Sequence, residues 1–128
     1  MRRTIGVLMA GIGLVVGSSG IWAHEQPAPS STGEQTLSGE VVDVTCYLEH
    51  PKSALGPGHA DCAKKCITSG LPVAIKVGSQ LYLATKADHT PANALLAPYA
   101  GQQVEVHGTV MERDGQHLIA VSKVEKAR

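Results

Sequence analysis

The stretch QVEVHGTVMERDGQHLIAVSKV, residues 103–124, decides the fold. Valine or glycine occupies every second position from 104 to 110, and a period of two is typical of a strand with one buried face. Asp114-Gly115 then gives a two-residue turn signal, because both residue types tolerate positive φ. The stretch therefore predicts an antiparallel hairpin of two strands, 103–112 and 116–124.

Three more strands and two helices are predicted upstream of this hairpin. Proline and glycine mark the loops between them, and Gly70 stands where a helix C-terminal glycine belongs. The strands are predicted at 36–48, 72–77 and 80–85, and the helices at 59–69 and 91–99. This order predicts a mostly β fold: a five-stranded OB-fold-like barrel with one short helix between strands 3 and 4. A cysteine-containing helical insert lies between strands 1 and 2.

The core of this barrel must consist of aliphatic side chains, because the chain has no Phe and its one Trp lies at position 22. Alternation along each strand selects the inward-facing residues, although a bulge would shift this alternation by one position. The predicted core residues are Leu37, Val42, Val44, Val73, Ile75, Leu81, Leu83, Leu95, Leu96, Val104, Val106, Leu118 and Val121.

The N-terminus has the organisation of a secretory signal peptide. Arg2 and Arg3 precede an uncharged, mostly apolar segment that ends in the small residue Ala23. This pattern predicts a signal peptide at 1–23 and a periplasmic or secreted mature chain. The alternative is an uncleaved segment, which would be the only membrane attachment. A Pro- and Ser-rich flexible leader is expected at 24–35, followed by a single OB-fold-like domain at 36–128.

Composition argues against nucleic-acid binding by the mature chain. Removal of Arg2 and Arg3 leaves nine Lys and Arg against eleven Asp and Glu, a net charge of about −2. Nucleic-acid binding requires a basic surface, and single-strand binding also uses aromatic stacking platforms. No hydrolase motif or phosphate-binding glycine loop occurs either. These observations favour a non-enzymatic role, with no catalytic residues.

The three cysteines and one histidine form the candidate functional site. In the predicted helix 59–69, His59, Cys62 and Cys66 follow an i, i+3, i+7 spacing, which places them on one stripe. Cys46 ends the first predicted strand and reaches them if the insert folds back onto the barrel. Three thiolates and an imidazole suit tetrahedral Zn²⁺ and also Cu(I). The predicted metal ligands are therefore Cys46, His59, Cys62 and Cys66.

Other interpretations of these residues remain open. An exported protein meets oxidising conditions, so Cys46 can instead form a disulfide with Cys62 or Cys66, leaving one thiol over. His50 lies in the same loop and is an alternative ligand to His59. Asp43 and Glu49 flank Cys46; they are expected to be exposed residues at a strand edge, and the alternative is that they tune the site.

Two motifs resemble a set of small exported bacterial OB-fold proteins of uncharacterised function. The first is Val42-Asp43-Val44-Thr45-Cys46-Tyr47-Leu48, and the second is His59-Ala60-Asp61-Cys62-Ala63-Lys64-Lys65-Cys66. The resemblance covers residues 39–124. It implies the OB fold and carries no activity with it.

These observations lead to two functional expectations. The first is an exported metal-binding module for copper or zinc, acting as a carrier or as an accessory protein for an envelope metalloenzyme, with an envelope protein as its partner. The second is an OB-fold interaction module without a metal or other cofactor, in which the cysteines form a structural disulfide or act as a thiol–redox pair.

Overall fold

The computed structural model describes residues 34–128. The predicted signal peptide at 1–23 and residues 24–33 of the predicted leader lie outside the described residues. Between residues 34 and 128, no helix is both long and apolar enough to cross a membrane.

The described residues form five strands, three short α-helices and two 3₁₀ turns. The strands are β1 Glu34–Asp43, β2 Val73–Val77, β3 Gln80–Lys86, β4 Gln103–Arg113 and β5 Gln116–Lys126. The helices are α1 Val44–Glu49, α2 Ala60–Thr68 and α3 Asn93–Leu96, and the 3₁₀ turns are Pro57–His59 and Ala97–Tyr99. The predicted helix 59–69 is thus a 3₁₀ turn leading into α2, and the predicted helix 91–99 is α3 continued by the second turn.

The strands close into a barrel in the order β1-β2-β3-β5-β4, with β4 paired back to β1. All pairs are antiparallel except β3 and β5, which run parallel. α3 lies between β3 and β4 in the chain, and α1 and α2 lie between β1 and β2. The predicted OB-fold-like barrel with a helical insert is therefore confirmed.

The turns predicted from glycine adopt the expected backbone. Asp114 and Gly115 have φ of 51° and 76°, as the two central residues of a type I′ hairpin turn require. Gly70 has a φ of 102° directly after α2, a left-handed conformation that glycine adopts without steric cost. These glycines fix where β4 meets β5 and where α2 ends.

The first strand is shorter than the prediction of 36–48. It begins at Glu34 and ends at Asp43, and residues 44–49 form α1 instead of continuing the strand. Asp43 is the N-cap of α1, and its Oδ1 accepts a hydrogen bond from the Thr45 amide at 2.8 Å. An N-cap aspartate stabilises a helix start, so the β-branched residues that follow it did not prolong the strand. Cys46 consequently lies on a helix.

The barrel interior contains most of the predicted core, with corrections on three strands. Val73, Ile75, Leu96, Val104, Val106 and Val121 belong to the buried cluster, Leu37 and Leu95 pack against it, and Val42 is buried outside it. On β3 the inward residues are Tyr82 and Ala84, and on β5 Ile119 takes the place predicted for Leu118. Leu81, Leu83, Leu118 and Val44 are only half-buried.

The insert packs onto the barrel as part of its core. Ala63 and Ile67 of α2 are buried in the same cluster as Val41 of β1 and Leu96 of α3. The Asn93 amide nitrogen also donates hydrogen bonds to the carbonyl oxygens of two residues at the end of α2 and after it, at 2.8 and 2.7 Å. The position of α2 relative to the end of β1 is therefore fixed by packing.

Candidate metal centre

Asp43 and Cys46 are positioned by the junction between β1 and α1. Asp43 is the last residue of β1 and is only 1% exposed. It shares the strand phase of Leu37 and Val41, which face the core, because side chains alternate along a strand. Cys46 is in the first turn of α1 and is half-buried. The two side chains therefore lie together where β1 reaches the insert.

His59 is positioned by a buried glutamate on the same strand. Glu40 Oε1 accepts a hydrogen bond from the Gly56 amide at 2.5 Å, and the Gly56 carbonyl accepts one from the His59 amide at 3.1 Å. Gly101 allows this close approach, since a Cβ there would lie 2.6 Å from the Gly56 oxygen. The loop before α2 is thus tied to the barrel, and His59 is held directly before the helix.

The remaining two cysteines lie on α2, beside its buried stripe. Ala63 and Ile67 face the core, and Cys62 and Cys66 each precede one of them by one residue. An i, i+4 pair occupies one side of a helix, so both thiols point to the side next to the core. Cys62 is exposed and Cys66 is half-buried.

These side chains form two groups that share one sulfur atom. Cys46 Sγ, Cys62 Sγ and a ring nitrogen of His59 all lie within 4.8 Å of one another. Cys46 Sγ, Cys66 Sγ and a carboxylate oxygen of Asp43 do so as well. The two groups together contain five potential metal ligands, and Cys46 belongs to both groups.

Two polar atoms of the cluster are buried without a hydrogen-bond partner among residues 34–128. They are His59 Nε2 and Asp43 Oδ2. Burial of a polar atom without a partner costs free energy, on the order of 1–3 kcal/mol. Each atom belongs to a residue of one of the two groups around Cys46. Each group thus contains a residue with a buried polar atom that has no regular hydrogen bond.

The Asp43 carboxylate also controls the protonation of the neighbouring thiols. Hydrogen bonding to this carboxylate, followed by burial, raises the pKa of Cys46 to about 12. The same two causes raise the pKa of Cys66. Both sulfurs lie within 4.8 Å of a carboxylate oxygen of Asp43, although Oδ2 forms no hydrogen bond of regular geometry. In the metal-free protein both thiols therefore hold their protons at neutral pH.

The four residues predicted as ligands are all found at this place. Cys46, His59, Cys62 and Cys66 each belong to at least one of the two groups. The alternative ligand His50 is not in either group; its side chain is 70% exposed and lies 3.9 Å from the Glu49 carboxylate.

Asp43 is the site residue that the sequence prediction missed. It was expected to be exposed at a strand edge, and this was wrong: it is fully buried and lies beside two thiols. The signal that could have found it is its position. Asp43 directly precedes the short segment 44–49, and an aspartate directly before a helical segment is an N-cap candidate. Cys46 is the third residue of that segment.

The disulfide that the sequence left open as an alternative does not form in this structure. Cys46, Cys62 and Cys66 are all free thiols. Cys46 lies within 4.8 Å of each of the other two sulfurs, and a disulfide has an S–S distance of about 2.05 Å.

Comparisons of the chain with protein-family models, with curated proteins and with solved structures give no match.

Proposed function

We propose that this protein is a metal-binding module that holds copper or zinc through Cys46, His59, Cys62 and Cys66. It acts without catalysis of its own, as a metal carrier or as an accessory protein for a metalloenzyme of the cell envelope. Its metal is thiophilic because sulfur atoms make up most of the ligand set.

The observation that carries this proposal is the group of Cys46, His59 and Cys62. Their ligand atoms lie within 4.8 Å of one another although they come from α1, the 3₁₀ turn before α2, and α2 itself. His59 also has a buried ring nitrogen, Nε2, with no hydrogen-bond partner in the described part of the chain. In tetrahedral zinc sites the ligand atoms are about 3.3–3.8 Å apart. A shift of about 1 Å per side chain therefore closes the group around an ion.

The two histidines near the cluster provide a matched test. Titrate the anaerobically reduced protein with Zn²⁺ and with Cu(I), each in competition with a chromophoric chelator, and compare His59→Ala with His50→Ala. We expect stoichiometric binding by the unmodified protein and a loss of about 100-fold or more in affinity for His59→Ala, since even outer-shell residues contribute 10–100-fold. His50→Ala should leave affinity unchanged, because this side chain lies outside the cluster.

Two results would overturn the proposal. Absence of stoichiometric binding to either metal removes it altogether. An equal loss of affinity in both histidine variants assigns the effect to the loop and not to a ligand. Circular dichroism of each apo variant verifies that the barrel is intact.

A thiol–disulfide function is the second candidate, and the central position of Cys46 favours it. Its sulfur lies within 4.8 Å of both Cys62 and Cys66, so one thiol has two possible disulfide partners. Intact mass measured under non-reducing conditions distinguishes this candidate. Loss of two hydrogens in the purified protein, together with no metal binding after reduction, would support the disulfide and contradict the metal site.

We further propose that the mature protein acts outside the cytoplasm after cleavage at Ala23. The support is the sequence pattern of residues 1–23, a positive start followed by an apolar segment and a small-residue end. Measuring the intact mass of protein from the envelope fraction tests this. A chain that still carries residues 1–23 would contradict cleavage.

A further inference from the structure

We propose that Asp43 is a fifth metal ligand and that it makes the cluster selective for Zn²⁺ over Cu(I). This inference rests on the proposed metal-binding function and adds a specificity-determining residue to it. Its basis is the geometry of the second group around Cys46, in which a carboxylate oxygen accompanies two sulfur atoms.

The burial of Asp43 is the first argument. Its side chain is 1% exposed, yet only one of its two oxygens has a conventional role: Oδ1 accepts the Thr45 amide as helix N-cap. Oδ2 is buried with no hydrogen-bond partner within residues 34–128. A cap alone needs one oxygen, which can lie at the surface. The second oxygen is buried beside the Cys46 and Cys66 thiols, where a bound cation would take the place of their protons.

Glu40 shows how this fold treats a buried acid that has a purely structural role. It lies three residues earlier on β1 and is 9% exposed. Its Oε1 accepts the Gly56 amide at 2.5 Å, and its Oε2 accepts the Gln103 side-chain amide at 3.5 Å. Both oxygens of Glu40 are therefore satisfied within the protein. Asp43 differs from it in that its group contains two thiols, which become metal ligands when they lose their protons, instead of an amide that can only donate.

The kind of donor determines which metal gains from Asp43. A carboxylate oxygen is a hard ligand, which Zn²⁺ accepts in mixed sulfur, nitrogen and oxygen sites. Cu(I) is soft and is bound by thiolates and thioethers, with imidazole also suitable. The group Cys46, His59 and Cys62 offers only such ligands. Cu(I) can therefore bind without Asp43, whereas Zn²⁺ gains the Asp43 oxygen beside Cys46 and Cys66 in addition to the His59 and Cys62 ligands.

The substitution Asp43→Asn tests this inference because it separates the two roles of the residue. Asparagine is as good an N-cap as aspartate, so α1 keeps its start, but the amide oxygen is neutral and a much weaker metal ligand. The control is Asp61→Asn, which removes a negative charge from the exposed first turn of α2, next to Cys62. Both variants are titrated with Zn²⁺ and with Cu(I) as reduced full-length mature protein.

The expected result is a change in selectivity. Asp43→Asn should lower Zn²⁺ affinity by about 10–100-fold, the range seen when a supporting ligand group is lost, and should leave Cu(I) affinity unchanged. Asp61→Asn should change neither. A crystal structure of the zinc-loaded unmodified protein gives a second readout that does not depend on how the variant folds: an Asp43 oxygen should lie about 2.0–2.2 Å from the ion.

Three outcomes would overturn the inference, and each differs from failure of the proposed function. If Asp43→Asn lowers the affinity for Zn²⁺ and for Cu(I) equally, Asp43 has a positioning role only. Unchanged Zn²⁺ affinity assigns it to capping alone. A zinc-loaded structure in which the Asp43 oxygens are beyond bonding distance excludes it as a ligand. If the unmodified protein binds neither metal, the proposed function fails and this inference fails with it.

Discussion

Cys46 is the residue on which the whole cluster depends, because it is the only ligand common to both groups. Removal of any other candidate ligand leaves one group complete. The surroundings of Cys46 also oppose its ionisation, since the Asp43 carboxylate raises its pKa to about 12. A metal thiolate needs a deprotonated sulfur. The same carboxylate therefore keeps the metal-free thiol protonated and inert, and offers an oxygen once a cation is bound.

The raised pKa predicts how Cys46 reacts with alkylating reagents in the metal-free protein. The thiolate is the nucleophile, and with a pKa near 12 its fraction at pH 8 is only about 10⁻⁴. The alkylation rate in the folded protein should therefore rise about tenfold per pH unit between pH 8 and 10. In urea the thiol regains an ordinary pKa, and the rate should level off above pH 9. Quantitative mass spectrometry of the Cys46 peptide measures both profiles.

The slope with pH, not the absolute rate, decides this prediction, because partial burial slows the reagent at every pH. Identical pH profiles in the folded and unfolded protein would contradict it.

The pH dependence of stability follows from the same raised pKa. The folded protein retains the Cys46 proton more tightly than the unfolded chain, so the protonated thiol adds to the free energy of unfolding. This addition is complete below about pH 9 and is lost as pH rises toward 12.

The residues of the site show what sequence alone can and cannot predict. The spacing of His59, Cys62 and Cys66 predicted that these three side chains lie near one another, because helical geometry gathers residues at i, i+3 and i+7 without tertiary information. In the structure His59 and Cys62 share one group with Cys46, and Cys66 belongs to the other. Asp43 was missed because its burial depends on strand phase. The prediction placed Val42 and Val44 inward, whereas Leu37, Val41 and Asp43 share the inward phase. An error of one position in phase turns a buried ligand into an exposed charge.

At the level of elements, α2 both packs on the barrel core and carries two cysteines, and the residues for these two roles are adjacent in sequence. Ala63 and Ile67 bury one side of the helix in the barrel core, and Cys62 and Cys66 form the adjacent side. The thiols therefore keep their position only as long as the apolar pair stays packed. This contact also makes the insert a structural part of the domain rather than an appendage.

Substitution of Ile67 tests whether α2 contributes to the core. Ile67 is fully buried, so Ile67→Ala should lower the free energy of unfolding by about 2–5 kcal/mol through lost transfer energy and the cavity left behind. The exposed Lys65→Ala on the same helix should change it by less than about 0.5 kcal/mol. Urea unfolding followed by circular dichroism compares the two. Similar small changes in the free energy of unfolding for both variants would mean that the insert packs loosely on the barrel.

The strands show a second phase error that the sequence could have avoided. The two-residue turn at Gly78-Ser79 sets the register of β2 against β3 and pairs Ile75 with Tyr82. Directly opposed residues lie on the same face of a sheet. With Ile75 inward, Tyr82 must be inward and Leu81 and Leu83 must face outward. The prediction placed the two leucines inward and did not apply the strand pairing that this turn imposes.

Across the whole molecule, the cluster joins three parts of the chain that the fold brings to one place. Asp43 ends β1, Cys46 belongs to α1, and the candidate ligands from His59 to Cys66 belong to the 3₁₀ turn before α2 and to α2. The sequence allowed this meeting to be predicted only on the condition that the insert folds back, because it depends on packing of α2 against the end of the barrel. In the unfolded chain these ligands are dispersed. A metal that binds the native cluster must therefore stabilise the fold.

Metal-linked stability is thus the prediction that applies to the molecule as a whole. With free Zn²⁺ held at 100 times its dissociation constant, the free energy of unfolding of the reduced protein should rise by about 2.7 kcal/mol. Cys46→Ser should abolish most of this increase, because both ligand groups lose their shared sulfur. Denaturant unfolding in a metal buffer measures the effect, and a chelator should reverse it.

The same experiment separates the metal site from a structural disulfide, since the two respond oppositely to reductant. A disulfide that ties α1 to α2 would add typically ~2–4 kcal/mol to the stability of the oxidised protein, and reduction would remove this with or without Zn²⁺. A metal site needs reduced thiols, so reductant in the presence of Zn²⁺ should preserve or increase stability. Stability that falls on reduction and does not respond to Zn²⁺ would contradict the metal site and leave Cys46 as one half of a covalent link to α2.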